Sequence, residues 1–359
     1  AVSQYNKKVF GWITFQDTKW VGLAGGNIPA DSLPWDVLTH VGLFAANGAN
    51  PPQSYYINQY PYFAARAHQS GVYAGITVGG SGDEALVTLM NTPTSWTSWI
   101  NTYLSYLDGS RMDFIDFDLE RSYTVANVAS FFSQLKDSLN ARTSGNDPTR
   151  APFIVLTVGA SRARSWVSLA SYCEFVNIMA YDYVDPGTWG RLIFDNAPKS
   201  RLNYDGTGGV TDNYAPAGST NAEAPSMQKM AGWAIDAGWP ADKVVMGFDL
   251  NPTYWYGGND GAGRGPTYIR QPEGTSGFLG AGSNGTFASY WPTVSAIPSD
   301  SIHFDQIAQA YWAHTGTTAS DDKLWVLTAL PGKDSMMVAT RKVVDSMRIG
   351  GVCFWNLGN

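Results

Sequence analysis

Eight runs of consecutive apolar, β-branched and aromatic residues recur along the chain, at 9–15, 38–44, 72–78, 112–118, 153–158, 175–181, 243–249 and 351–355. Runs this short and this continuously apolar read as strands covered on both faces, the pattern of a parallel sheet under helices. Helix-sized gaps separate them, and some carry amphipathic segments, such as 125–139, 226–237 and 336–347. Eight β–α units close most simply into a (β/α)8 TIM barrel. A doubly wound open sheet is the alternative, but no phosphate-cradling G-x-G-x-x-G follows the first run.

Eight such units take about 250 residues, so roughly a hundred of the 359 are left over. The gap 249–350 absorbs most of them and the gap 181–243 the rest. The first gap holds T-Y-I-R and A-S-Y-W between Gly-rich turns, which predicts a small insertion between strand 7 and strand 8. It is expected at roughly 253–305, on the upper face of a single catalytic domain spanning 1–359. The second gap, to about residue 224, is polar and rich in Gly, Asn and Pro, as an active-site loop is. No internal repeat, charge block or low-complexity linker interrupts the series.

The fourth run breaks the apolar rule. It reads M-D-F-I-D-F-D-L-E from 112 to 120. On a strand Asp116, Asp118 and Glu120 share one face at ~7 Å per pair of residues, while Ile115, Phe117 and Leu119 take the other. Three carboxylates in file gain nothing structural, and like charges this close raise one another's pKa. A proton held on such a group is what general acid catalysis needs. A calcium loop also alternates Asp, but Arg121 stands where its sharp turn needs Gly, and the intervening residues are bulky. The acids therefore mark a catalytic strand. Catalytic groups of a barrel sit at the carboxyl ends of strands. Glu120, Tyr181 and Trp355 all fall there.

Composition adds a little. A net charge of −7 argues against nucleic acid or an anionic membrane as partner. Charged residues are sparse at 15%, whereas 14 Trp and 19 Tyr suit stacking on neutral sugars as well as they suit a large core. Cys173 and Cys353 make no disulfide framework or metal spacing. Cys353 is expected as a buried thiol, with a bridge to Cys173 the lesser alternative. His40, His68, His303 and His314 form no ligand pair, so no metal and no cofactor are expected; His40 reads as a satisfied histidine at the core edge. No run reaches the ~18 apolar residues of a membrane span. A chain starting Ala-Val-Ser without Met looks processed or trimmed, and the protein is expected to be secreted with its signal peptide removed. Asn284-Gly285-Thr286 is a glycosylation acceptor in a eukaryotic secretory setting.

These landmarks together resemble glycoside hydrolase family 18, the chitinases and their relatives. The family signature D-x-x-D-x-D-x-E is matched by Asp113, Asp116, Asp118 and Glu120. S-x-G-G appears as Thr77-Val78-Gly79-Gly80, M-x-Y-D as Met179-Ala180-Tyr181-Asp182, and G-G-x-x-x-W as Gly350 to Trp355. Asn196-Ala197-Pro198 also looks like a family loop. The resemblance implies retaining, substrate-assisted hydrolysis of β-1,4 links between N-acetylglucosamine units. Glu120 would be the proton donor, Asp118 the partner of the substrate acetamido group, Asp116 a proton-sharing neighbour, and Tyr181 a donor to the acetamido carbonyl. Trp355, Asp182, Met179 and Phe44 would bind sugar. Chitin or its oligosaccharides would be the partner of a monomeric enzyme. Endo-β-N-acetylglucosaminidases, peptidoglycan hydrolases and chitin-binding lectins on the same frame are the alternatives. The chain departs from the family at Leu119 (usually Trp), Arg121 (often Tyr), Trp12 (often Tyr) and Thr77 (Ser). Trp12 and Thr77 stand at positions that normally touch the innermost Asp. The seventh-strand motif lacks its Arg.

Overall fold

The computed structural model describes residues 7–14, 18–19, 28–50, 58–181, 227–249, 253–256, 280–281, 292–305, 310–315, 323–327 and 333–357. β1 (Lys8–Thr14) is followed by a short parallel pair, β2 (Thr18–Lys19) and β3 (Ile28–Pro29). Then come β4 (His40–Ala46), β5 (Tyr73–Gly79), β6 (Phe114–Asp118), β7 (Phe153–Gly159), β8 (Cys173–Met179) and β9 (Val244–Asp249). The last strand is β15 (Gly351–Trp355). β1, β15, β9, β8, β7, β6, β5 and β4 close in that order into a barrel. The register carries Phe10 beside His40, Thr77 beside Asp116, and Asp118 beside Thr157.

Helices α1 (Tyr60–Gln69), α2 (Glu84–Met90), α3 (Pro93–Ser110), α4 (Val125–Asn140), α5 (Ala160–Ser165) and α6 (Met227–Ala237) fill the crossovers. α4 shows why they lie where they do. Val128, Phe131, Phe132, Leu135 and Leu139 fall at helical spacing and are buried. They meet the outward face of β6, with the Phe117 ring 5.0 Å from Phe132 and 5.8 Å from Phe131. Asp83 starts α2 by accepting from Leu86 N at 3.0 Å, and Pro93 opens α3 at the first turn, where its missing N–H costs nothing.

The barrel interior is packed with Phe10, Trp12, Phe114, Phe153, Val155, Phe175, Val245 and Cys353. Gly75 makes room for this layer, since a Cβ there would sit 2.1 Å from the Phe114 ring. His40 is buried within ring contacts of Tyr73 and Phe175, and its Nδ1 lies 2.8 Å from Thr39 Oγ1. Burial, with Lys8 and Arg150 nearby, pushes its pKa down to about 3, so it is neutral. Cys173 and Cys353 are both free and buried.

Between β9 and β15 the chain forms an antiparallel sheet of β10 (Thr253–Tyr256), β11 (Gly280–Ala281), β12 (Ile302–Asp305), β13 (Ala310–Thr315) and β14 (Lys323–Leu327), followed by α7 (Ser335–Ser346). Its order is β11-β10-β14-β13-β12. The strands run past the expected 253–305 span because Lys323–Leu327 lies centrally, paired with both β10 and β13. Trp325 is buried there and donates to Thr315 Oγ1 at 2.8 Å, and the Tyr311 hydroxyl accepts from Ser335 N at the start of α7. The described residues fall into two compact units. One is drawn from Ala1–Met179, Trp233–Gly247 and Arg348–Gly358, the other from Ala180–Gly232 and Phe248–Met347. Among the described residues no helix is long and apolar enough to cross a membrane.

Candidate active site

All five residues of β6 are buried. Alternation sends Ile115 and Phe117 outward to the helices and leaves Asp116 and Asp118 facing the barrel axis. Asp113, just before the strand, is wholly structural. It accepts from Ala74 N at 2.7 Å, His68 Nε2 at 2.9 Å, Ser144 Oγ at 2.5 Å and Asn146 N at 2.7 Å, which locks the 144–146 loop to the start of the strand.

Asp116 sits deeper than its neighbours in the file. Its Oδ2 accepts from Trp12 Nε1 and Thr77 Oγ1, each at 3.0 Å, and its Oδ1 from Thr157 Oγ1 at 2.7 Å. Trp12 and Thr77 thus keep the contacts expected of their positions despite being different residue types. Burial pushes the Asp116 pKa up to about 6 from an ordinary 3.8, and the three hydrogen bonds restrain that rise. Thr157 in turn accepts from Asn177 Nδ2 at 3.3 Å, and Asn177 Oδ1 is buried without a hydrogen-bond partner.

Asp118 ends the strand, and its pKa is raised well above the usual carboxylate range. Burial is the largest cause, followed by the charges of Glu120 and Asp116 and a side-chain hydrogen bond with Glu120. Mutual repulsion, expected from the sequence to be the driver, ranks second to desolvation. Asp118 Oδ1 is buried and has no hydrogen-bond partner. Glu120 lies past the strand and is exposed, whereas Leu119 between them is buried. A buried carboxyl sharing a hydrogen bond with an exposed one can pass a proton outward while keeping a second oxygen available to a donor.

β5 brings its end against this file. Gly80 N donates to the Asp118 carbonyl at 3.0 Å. Gly79 has a φ of +123°, and a Cβ on it would lie 2.1 Å from that same oxygen, so only glycine fits. A Cβ on Gly80 would stand 3.3 Å from the Phe44 ring and 4.0 Å from Asp118 Oδ2, which places Phe44 next to the acids. The Trp355 ring meets Phe44 edge-on at 4.5 Å and Trp12 at 6.1 Å, and is half-buried. An open groove of about 580 Å³ runs from Phe44 past Gly80 to Asn47, Ser81, Asp83 and Glu84. Asp83 ties its walls together, accepting from Gly48 N at 2.6 Å and capping α2.

The structure therefore gathers Asp116, Asp118 and Glu120, and beside them Phe44 and Trp355. Met179 ends β8, and Tyr181, half-buried, follows it by two residues. Asp182 lies outside the described residues. Thr157 and Asn177 were missed by the sequence reading. The available signal was a lone polar residue in register with inward positions of an apolar strand. Among the described residues no group of His, Cys, Asp and Glu could hold a metal ion.

Comparison with known proteins follows the same line. The family model of glycosyl hydrolases family 18 matches residues 20–359. A chitinase-like effector of Moniliophthora roreri is 24% identical over 257 residues, 66% of this chain and 57% of that protein. A class V chitinase of Arabidopsis thaliana is 26% identical over 186 residues, 50% of this chain and 43% of that protein. The chain thus spans about half the length of these curated relatives. Among solved structures, human YKL-39, described as a pseudo-chitinase with retained chitooligosaccharide binding properties, superposes with a TM-score of 0.71. It is 14% identical, over 98% of this chain and 93% of its own, a likeness of fold alone.

Proposed function

The chain belongs to glycosyl hydrolases family 18, and from that premise we propose that it is a secreted, monomeric chitinase cleaving β-1,4 links between N-acetylglucosamine units with retention. The observation that carries this reading is Asp118: buried, bonded to the exposed Glu120, and holding an unpartnered Oδ1. In the proposed reaction Glu120 protonates the leaving glycosidic oxygen. The carbonyl oxygen of the substrate's own 2-acetamido group attacks the anomeric carbon, and an oxazolinium ion forms as the glycosidic bond breaks. Asp118 Oδ1 accepts from the acetamido N–H, which orients the nucleophile and offsets the positive charge. Asp116, with its pKa near 6, shares the proton load of the file. Water then opens the oxazolinium ion, with Glu120 taking its proton. Tyr181 and Asp182 are assigned the acetamido carbonyl and sugar hydroxyls, and Trp355 with Phe44 the apolar floor.

A second reading, a sugar-binding protein without turnover, has support in the described character of YKL-39. The presence of Glu120 beside Asp118 favours the enzyme. Incubation with N-acetylated chitooligosaccharides, an N-glycoprotein and peptidoglycan tests both. Cleavage of the first alone, abolished in E120Q, supports the proposal; tight binding with no cleavage of any substrate overturns it.

A further inference from the structure

The geometry points to Arg162 as the positioning residue of the proton donor, acting through the main chain on either side of the donor's backbone. This rests on the reading of Glu120 as the acid. β6 ends at Asp118, and Glu120 lies two residues beyond it. Leu119 N donates to Thr157 O at 2.9 Å, so β7 still holds the peptide between Asp118 and Leu119. Arg162, on α5 directly after β7, holds the next two peptides by their carbonyls. Its Nη1 donates to the Leu119 carbonyl and its Nη2 to the Glu120 carbonyl at 3.3 Å. A planar guanidinium bridges two successive carbonyls from one rigid fork, whereas an ammonium offers a point charge on a flexible stem.

The fork is itself held in place. The guanidinium lies over the Trp166 ring at 5.5 Å, and Trp166 meets the Tyr123 ring edge-on at 6.2 Å. The charge of Arg162 also reaches the reacting groups: it lowers the Asp118 pKa against burial and the neighbouring acids, and it interacts with Glu120 and Tyr123. The Tyr123 hydroxyl is buried without a hydrogen-bond partner and burial raises its pKa, so it stays neutral and the corner is left with Arg162 and the acids as its charges. One side chain thus aims the donor and tempers the proton affinity of the pair behind it.

The test compares wild type with R162K, R162Q and R162M by steady-state kinetics on N-acetylated chitooligosaccharides across pH, and by ¹³C NMR titration of the Asp118 and Glu120 carboxyl carbons. R162M is expected to lose roughly 100-fold in kcat, the scale of an ångström's misplacement of a reacting group, with KM little changed, so that kcat and kcat/KM fall together. R162K keeps the charge without the fork and should recover the carboxyl titration but only part of kcat. R162Q keeps donors without charge and should shift the titration of the pair upward. Equal kcat and pH profiles per folded molecule in all four proteins, whatever the melting temperatures, would overturn the positioning role. If the wild type cleaves nothing, the chitinase reading fails, while an unshifted titration in R162M still refutes, and an upward shift still supports, the electrostatic role of Arg162.

Discussion

Replacing Asp116 with Asn should make the protein more stable at neutral pH and leave it unchanged in acid. Asp116 is fully buried and its pKa rises from an ordinary 3.8 to about 6. Well below pH 4 the group is protonated folded and unfolded, and it contributes no difference. Between pH 4 and 6 the unfolded chain releases the proton and the folded one keeps it. The folded state then binds more protons, so wild-type stability falls as pH rises through this window and levels off above it. At 1.36 kcal/mol per pKa unit the accumulated cost is about 3 kcal/mol. Asn avoids this cost if its hydrogen bonds can be met. With its carbonyl toward Trp12 Nε1 and Thr77 Oγ1 and its amide toward Thr157 Oγ1, they can, since a hydroxyl oxygen accepts as readily as it donates. Relief of Asp118 from a neighbouring charge acts in the same direction. Calorimetric melting of D116N and wild type from pH 4 to 8 should show a Tm difference opening from near zero to about 6 °C, at ~2 °C per kcal/mol for a domain of this size. A difference that is flat with pH, or that closes as pH rises, would refute the account of Asp116 as a buried, reluctantly ionised carboxyl.

Other substitutions separate packing from chemistry. E120Q keeps volume and removes the transferable proton, so turnover should fall at least 10²–10⁴-fold while calorimetry still detects oligosaccharide binding; a near-normal rate would place the donor elsewhere. W355A should weaken oligosaccharide affinity with a Tm loss well below the 3–5 kcal/mol of a fully buried aromatic, because the ring is half-buried against Phe44 and Trp12; normal binding with a steep Tm loss would make it packing alone. G75A places a methyl carbon 2.1 Å from the Phe114 ring and should cost about 1–3 kcal/mol by overpacking, read by chemical denaturation with kinetics per folded molecule unchanged.

The barrel was legible because continuous burial leaves a plain trace. Strands covered on both faces must be apolar throughout, and the one that was not, β6, betrayed its acids. The stripe of Val128, Phe131, Phe132, Leu135 and Leu139 likewise wrote α4 into the chain. The sheet of the insertion was underestimated in length because β13 and β14 are short and sit among Gly- and polar-rich stretches, where alternation is too brief to read. Thr157 and Asn177 stand out only as lone polar residues in apolar strands, and their role appears when barrel closure places them in line with Asp116. The cause of the raised carboxyl pKa values was also hidden: spacing reveals repulsion, but desolvation, the larger effect, depends on the walls around the strand. Arg162 was invisible because its partners are main-chain carbonyls, which carry no residue identity.

The central claim is that the substrate's own acetamido oxygen is the nucleophile, with Glu120 as donor and Asp118 as its partner. Time-resolved ¹H NMR of the anomeric protons tests it most directly, on fully N-acetylated and fully deacetylated chitooligosaccharides in parallel. The account predicts that the acetylated chain is cut and yields the β-anomer first, before mutarotation, while the deacetylated chain stays intact. An α-anomer as first product, or cleavage of the deacetylated chain at a comparable rate, would contradict it.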